Sequence, residues 1–178
     1  DLEELVRSGK EKFNVSKVQV VGNLPYYITT PIIMKLLESG ISFENITIMM
    51  QKEVADRLIA EPGTKNSGAI TYGVQYRCTV DKIRDADRNC FDPAPKVDSA
   101  VLRLNFRKEP PVTPVSEKFF FQCIKAGFMM RRKTLLNSLA ALNSLDASYH
   151  FGKDEIQQAL KECGIDSKRR AESLTMEE

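Results

Sequence analysis

Cysteine, histidine and long apolar stretches are scarce in this chain. The four cysteines are spread from Cys78 to Cys163 without a C-x-x-C pair, which argues against a structural zinc site or a disulfide framework and favours a reducing cytosol. His150 is the one histidine, so a His-rich metal centre is excluded and Ser-His-Asp catalysis is disfavoured. No apolar run approaches the roughly 18 residues of a membrane span, and the acidic start, residues 1–4, differs from a signal peptide. We expect a cytoplasmic protein with no metal and no membrane partner.

Charge is balanced over the whole chain but not along it. The formal net charge is +2, and the 42% hydrophobic and 28% charged residues are typical of a folded protein. No acidic residue lies between Glu117 and Asp146, whereas five basic ones do: Lys118, Lys125, Arg131, Arg132 and Lys133. This unopposed positive charge favours contact with a polyanion. A solvated helix face explains the same charges and stays open as the alternative.

Hydrophobic periodicity predicts an α/β part in the first 108 residues. Short β-branched or alternating runs indicate strands, and a 3.6-residue period indicates the helices between them. The strands are predicted at 18–21, 45–50, 79–84 and 99–106, and the helices at 29–40, 51–60 and, with a strand as the alternative, 69–77. Strands that alternate with helices are typical of a parallel sheet with an antiparallel edge.

The proline-rich segment 109–115 is the predicted linker to a second, helical domain. Helices are expected there at 116–129, 133–142 and 154–163, with a further helix beginning near Asp166. Thr175–Glu178 resembles a capping box, and four strands are few for a doubly wound sheet. We therefore expect two domains, 1–108 and 116–178, within a longer protein.

A polar and aromatic loop, Asn23-Leu24-Pro25-Tyr26-Tyr27, directly follows the first predicted strand, where α/β proteins bind their ligands. The Asn23 side chain offers a carbonyl acceptor, Pro25 stiffens the loop and leaves neighbouring backbone carbonyls free to accept, and Tyr26 offers a flat face for stacking. Two fixed acceptors beside an aromatic ring suit the exocyclic amine of a nucleobase. Asparagine and proline are also turn residues, so a simple turn with packed tyrosines is the alternative.

Five segments, in the same order, resemble the ribosomal RNA adenine dimethyltransferases, and within that family the bacterial small-subunit, kasugamycin-resistance type. They cover nearly the whole chain: 20–31 with its Asn-Leu-Pro-Tyr motif, 50–57, 91–101 with its Phe-x-Pro-x-Pro-x-Val-x-Ser pattern, 131–135 and 170–174. The resemblance implies a partial Rossmann-like methyltransferase sheet, the C-terminal half of a seven-stranded sheet, followed by a small all-α domain.

The resemblance also implies an activity, the transfer of methyl groups from S-adenosylmethionine to the exocyclic amines of two adjacent adenines near the 3′ end of small-subunit rRNA, in ribosome biogenesis. In that family the catalytic positions match Asn23, Pro25 and Tyr26. The Asn23 side chain and the Pro25 carbonyl would hold the amine, and Asn23 would also lie next to the cofactor. Tyr26 would stack on the flipped-out adenine. Phe91 would close the pocket from another side, with a role as a core anchor as the alternative.

The predicted contacts with the rRNA backbone lie in the helical domain. A second, weaker basic run is Lys168-Arg169-Arg170. In the loop after the first predicted strand, Tyr27 is expected to pack under the loop rather than to bind the base. The small ribosomal subunit is the expected partner, and the protein is expected to be a monomer. The residues expected on the RNA are Lys125, Arg131, Arg132 and Lys133.

Two features of the family are missing from this sequence, namely the glycine-rich cofactor loop and the acidic residue that holds the cofactor ribose. Since Asn23 alone remains of the expected cofactor contacts, we expect this chain by itself to bind S-adenosylmethionine poorly. Two other functions stay open. One is a non-catalytic RNA-binding module that senses immature subunits, and the other is a large-subunit adenine methyltransferase of the macrolide-resistance type.

Overall fold

One mixed sheet contains four strands, β1 (Gln19–Asn23), β2 (Asn45–Gln51), β3 (Cys78–Ala86) and β4 (Ser99–Phe106), in the order β1-β2-β4-β3. The computed structural model describes residues 2–178. Within them, β1 runs parallel to β2, while β4 runs antiparallel to both β2 and β3. The α/β class and the four predicted strands are confirmed, with small shifts at the strand ends.

The antiparallel strand, β4, does not lie at the edge of the sheet, although the sequence pattern placed it there. It lies between β2 and β3, and its Ala100, Leu102 and Leu104 are completely buried. The edge is taken instead by β3, in which residues 81–85 are all exposed and all but Ile83 are charged. Charged side chains protect an edge strand from pairing with other chains, which explains why β3 rather than β4 occupies this place.

The described chain divides into two units. The first contains the residues up to Ile59 together with Val74–Glu109, and the second contains Ala60–Gly73 together with Pro110–Glu178. The stretch Ala60–Gly73 thus groups with the helical unit, whereas the sequence pattern placed it with the α/β domain. The assignment of separate roles to the two domains stays a prediction.

Helices alternate with the strands in the first unit. They are α1 (Leu2–Phe13), α2 (Thr29–Glu38) and α3 (Lys52–Ile59), and the division between the units falls within α4 (Ala69–Arg77). The helix at 69–77, which the pattern left open, is confirmed. The apolar core of this unit is completely buried and includes Ile33, Ile46, Ile48, Met50, Leu102 and Leu104.

The second unit is helical, as expected. It contains α5 (Glu117–Met129), α6 (Leu135–Leu139), α7 (Leu142–Leu145) and α8 (Lys153–Glu162). The stretch predicted as one helix at 133–142 is therefore two short helices. Their apolar faces close over a core of Leu135, Ile156, Leu160, Ile165 and Ala171.

The helix predicted to begin near Asp166 does not form. Gly164 ends α8 with a φ of 71°, and the Asp166 carboxylate accepts the backbone N–H of Lys168 in a turn. The carbonyls of Ser167 and Arg169 then accept the backbone N–H groups of Leu136 and Leu135 at 3.2 and 2.7 Å. Because these carbonyls bind another segment, they cannot propagate a helix, and only a 3₁₀ turn, Ala171–Ser173, follows.

All four cysteines are free thiols. Within residues 2–178, no group of three or more His, Cys, Asp or Glu residues is placed so that it could hold a metal ion. The helices of this part of the chain are all too short or too polar to cross a bilayer.

Candidate active site

A cavity of about 420 Å³ opens beyond the carboxyl ends of β1 and β2. Of the residues named from sequence, it brings together Asn23, Pro25, Tyr26 and Phe91. Sequence reasoning missed Met49, although Met49 is the direct partner of Asn23 in the parallel register of β1 and β2. The full lining is Asn23, Leu24, Pro25, Tyr26, Met49, Phe91, Asp92, Pro93 and Pro95.

The loop after β1 is folded back on itself by a 3₁₀ turn, Tyr26–Ile28. The Pro25 carbonyl accepts the backbone N–H of Ile28 and the hydroxyl of Thr29, both at 3.1 Å. A carbonyl oxygen has two lone pairs, and both are therefore engaged. This overturns the expectation of a free carbonyl at Pro25. It also explains why Thr29 belongs to the helix and does not cap it, since its hydroxyl is directed back at the loop and the cap residue is Ile28.

The Leu24 carbonyl is the nearest alternative acceptor in the loop. It lies between the end of β1 and the 3₁₀ turn, and among residues 2–178 no donor binds it. The Asn23 side chain is exposed at the last position of β1. Two oxygen acceptors, the Asn23 side-chain carbonyl and the Leu24 backbone carbonyl, thus stand on consecutive residues beside the cavity.

The two tyrosines of the loop have different surroundings. Tyr26 is half-buried, and its hydroxyl lies 2.8 Å from the hydroxyl of Ser99. Tyr27 is 84% exposed, so the prediction that it packs under the loop is wrong. Successive side chains of a 3₁₀ turn are about 120° apart, so when one tyrosine faces the sheet the next is turned away from it.

Phe91 reaches the cavity from the loop between β3 and β4. A 3₁₀ turn, Arg88–Cys90, precedes it, and the Asp87 carboxylate caps this turn by accepting the N–H of Asn89 at 2.8 Å. The Asp98 carboxylate accepts the N–H of Arg88 at 3.1 Å, and this ties the turn to the residue just before β4. Phe91 is half-buried, which leaves part of its ring accessible to a ligand.

The cavity fits a flat base better than it fits a whole nucleoside cofactor. Its polar side chains are those of Asn23 and Asp92, and the rest of the lining is aromatic, proline or aliphatic. A cofactor such as S-adenosylmethionine carries a ribose diol, a carboxylate and an amino group, and these need more polar partners than this lining provides. The contact of Asn23 with the cofactor stays a prediction.

The basic residues of the second unit are exposed but not equivalent. Arg131 donates to the Glu172 carboxylate at 3.1 Å and to the carbonyls of Lys65 and Ser67 at 3.4 and 3.3 Å. Its charge is therefore partly offset inside the unit. The side chains of Lys125, Arg132 and Lys133 make no hydrogen bond or ion pair in the described part of the chain, and Lys118 pairs with Asp146 at 2.9 Å.

The second basic run lies beside the first. The two backbone hydrogen bonds from Leu135 and Leu136 to Arg169 and Ser167 place the run 168–170 next to the start of α6. Arg169 is paired with Glu178, whereas Lys168 and Arg170 are exposed. Sequence reasoning did not find this neighbourhood because the runs are more than 30 residues apart in the chain.

Comparison with known proteins places the chain in a family. Residues 5–178 match the family described as "Ribosomal RNA adenine dimethylase". The chain belongs to this family. Its mixed sheet is accordingly a partial Rossmann-like methyltransferase sheet, as expected from the motifs.

Two curated relatives carry the name "Ribosomal RNA small subunit methyltransferase A". The protein of Clostridioides difficile (strain 630) is 49% identical over 178 residues, which are 100% of this chain and 58% of that protein. The protein of Geobacillus thermodenitrificans (strain NG80-2) is 50% identical over 169 residues, 95% of this chain and 57% of that protein. The chain thus spans less than two thirds of the length of these relatives.

Two solved structures are similar to this one. A dimethyladenosine transferase from Plasmodium falciparum aligns with a TM-score of 0.72 and 26% identity over 91% of this chain and 64% of that chain. The 23S rRNA methyltransferase ErmE aligns with a TM-score of 0.61 over 97% of this chain and 74% of that chain. At 22% identity, the second likeness shows the fold alone.

Proposed function

We propose that the protein containing this chain transfers methyl groups to the exocyclic amines of two adjacent adenines near the 3′ end of small-subunit rRNA, in the cytoplasm, during ribosome biogenesis. The observation that carries the proposal is the cavity beyond β1 and β2, where Asn23, Tyr26 and Phe91 meet. The relatives named as small-subunit methyltransferases favour this RNA over that of the large subunit.

The acceptors on Asn23 and Leu24 orient the adenine amine. This nitrogen is a poor nucleophile because its lone pair is delocalised into the ring. When both amine hydrogens are held by fixed oxygens, the nitrogen becomes more pyramidal and its lone pair is directed at the incoming methyl group. Leu24 takes the role first given to Pro25, because the Pro25 carbonyl already has two donors. S-adenosylmethionine, the methyl donor of this family, supplies an electrophilic methyl group when bound.

Aromatic rings hold the base. Tyr26 presents its face to the flipped-out adenine and Phe91 closes the other side, an arrangement in which stacking contributes roughly 1–3 kcal/mol per base. A strong general base is not needed, since the amine becomes acidic once it is alkylated and releases its proton to water. The site accordingly needs positioning groups more than a proton acceptor.

The second unit holds the RNA backbone. Its exposed and unpaired cations lie on two chain segments that the backbone hydrogen bonds bring together. Such cations bind phosphates in a salt-dependent manner and position the RNA without reading its sequence. The residues concerned are Arg132, Lys133, Lys168 and Arg170, with Lys125 on α5.

The experiment is a comparison of binding with methyl transfer. We define the completed protein as this chain joined to the remaining sequence of the Clostridioides difficile relative. Asn23→Ala should lower methyl transfer to undermethylated small subunits by about 100-fold or more and leave subunit binding unchanged. Asn66→Ala, which truncates an exposed asparagine outside the site, is the matched control. Equal loss of binding and transfer in Asn23→Ala would contradict the proposed role.

A second candidate function is a non-catalytic RNA-binding module. The cations of the second unit favour it, because they need no cofactor to act. Tight subunit binding without methyl transfer by the completed protein would support this function over the first.

A further inference from the structure

The hydroxyl at the tip of the Tyr26 side chain contacts a buried residue of the sheet. Its hydroxyl oxygen and that of Ser99 are 2.8 Å apart. Ser99 has no exposed surface and does not line the cavity. Its influence on any ligand in the cavity is therefore indirect, through Tyr26.

The backbone of Ser99 is held on both sides. As the first residue of β4, it pairs with Gln51 at the end of β2 and with Ala86 at the end of β3. The preceding carbonyl, that of Asp98, accepts the N–H of Lys52 at 2.9 Å. A residue fixed by two neighbouring strands is a rigid anchor.

Anchoring at this point restricts the orientation of the ring. A tyrosine side chain rotates about two torsions, and its hydroxyl is the atom farthest from the backbone. The hydroxyl oxygen lies on the axis of the second torsion, so a hydrogen bond between it and a fixed partner restricts the first torsion directly. Because the hydrogen-bonding directions of a phenol hydroxyl lie in the plane of its ring, the same bond also favours one ring plane. Since stacking requires one ring plane relative to the base, the loss of this bond would leave the adenine amine misplaced relative to the acceptors on Asn23 and Leu24.

We propose that Ser99 is a positioning residue that acts through the Tyr26 hydroxyl to set the plane of the base-stacking ring. This inference rests on the proposed function and adds a residue to it. In this role Ser99 affects catalysis only while position 26 carries a hydroxyl. A serine that only satisfied the packing of β4 would affect every variant equally.

The test is a double-mutant cycle in the completed protein. Ser99→Ala should lower kcat for methyl transfer by about 10-fold, with KM for the small subunit unchanged, because ring orientation and not RNA binding is altered. Tyr26→Phe should lower kcat by a similar factor. The double variant should be no worse than either single variant, since both remove the same interaction. The inference would be overturned if the losses in kcat of the two single variants multiplied in the double variant, or if Ser99→Ala were as fast as wild type.

A binding readout separates this inference from the function itself. An RNA oligonucleotide with 2-aminopurine at the target position should lose fluorescence when that base stacks on Tyr26. The loss should be large with wild type, smaller with Ser99→Ala and absent with Tyr26→Ala. Ser138→Ala, which removes another completely buried hydroxyl from the second unit, should equal wild type. Wild type that neither methylates nor quenches would overturn the proposed function. Wild type that does both, beside an identical Ser99→Ala, would overturn only the role of Ser99.

Discussion

Thr29 is the residue that most directly supports the loop after β1. It is 1% exposed, and its hydroxyl donates to the Pro25 carbonyl at 3.1 Å. Thr29→Val keeps the shape of the side chain but removes this bond, so we expect a loss of about 1 kcal/mol in the free energy of unfolding. Thr30→Val, at the exposed neighbour, is the control and should change little. Urea unfolding measures both, and equal losses would show that the hydroxyl of Thr29 is not what matters.

Glu178 is a second residue with a defined electrostatic environment. Its hydrogen bond with Arg169 is the main reason that its pKa falls from 4.5 to about 2, and the Thr175 N–H adds to the effect. A lowered carboxyl pKa means that the pair stabilises the fold above pH 4.5 and that this contribution is lost as the pH falls toward 2.

An NMR titration of the Glu178 carboxyl measures this directly. The midpoint should lie well below 4.5 in wild type and should move up toward 4.5 in Arg169→Gln. Lys161→Gln, on the exposed side of α8, should leave it in place. A wild-type midpoint at 4.5 would show that the ion pair does not form in solution.

At the scale of elements, the two arginines before α6 have separate roles. Arg131 links its segment to Glu172 and to the carbonyls of Lys65 and Ser67, all in the second unit, whereas Arg132 is exposed and unpaired. Arg131→Ala should therefore lower the stability of the unit by about 1 kcal/mol, the upper range for an exposed ion pair. Arg132→Ala should leave stability unchanged.

For RNA binding we expect the opposite order of effects, with the loss of Arg132 mattering more than the loss of Arg131. Arg132→Ala with Lys133→Ala should weaken small-subunit binding and lower the salt slope of log K by about one for each phosphate that is no longer neutralised. Lys161→Ala on α8 is the matched control for the removal of an exposed cation. The opposite result would be that Arg131→Ala weakens binding more than the double variant of Arg132 and Lys133 does, without any loss of stability. That result would show that the assignment of a structural role to Arg131 and an RNA-binding role to Arg132 and Lys133 is wrong.

Local chemistry explains which elements the sequence could predict. The capping box at Thr175–Glu178 depends on neighbours in the chain, and both of its hydrogen bonds form, at 3.0 and 3.3 Å. The segment after Asp166 depends on partners at Leu135 and Leu136, so its local helix propensity was misleading. The order of β3 and β4 likewise depends on which strand can lie at the exposed edge of the sheet without pairing with other chains. Hydrophobic periodicity alone does not predict this.

At the scale of the whole molecule, the motifs predicted residues that line one cavity but did not predict the contacts among them. The position after a strand end pointed to Asn23 and Tyr26, the resemblance to the family added Phe91, and all three line one cavity. The occupied carbonyl of Pro25, the exposure of Tyr27 and the bond between Tyr26 and Ser99 all depend on backbone and side-chain directions in and around one 3₁₀ turn. Such directions are decided by packing, which the sequence pattern does not reveal.

A search for dimethylated adenine in rRNA tests the proposed function most directly. Undermethylated small subunits are incubated with S-adenosylmethionine and the completed protein, as wild type and as Asn23→Ala, and the digested rRNA is analysed by mass spectrometry. We predict N6,N6-dimethyladenosine near the 3′ end of the small-subunit rRNA with wild type and almost none with Asn23→Ala. Tight binding of wild type to the subunits without any dimethyladenosine, or methylation confined to large-subunit rRNA, would contradict the proposal.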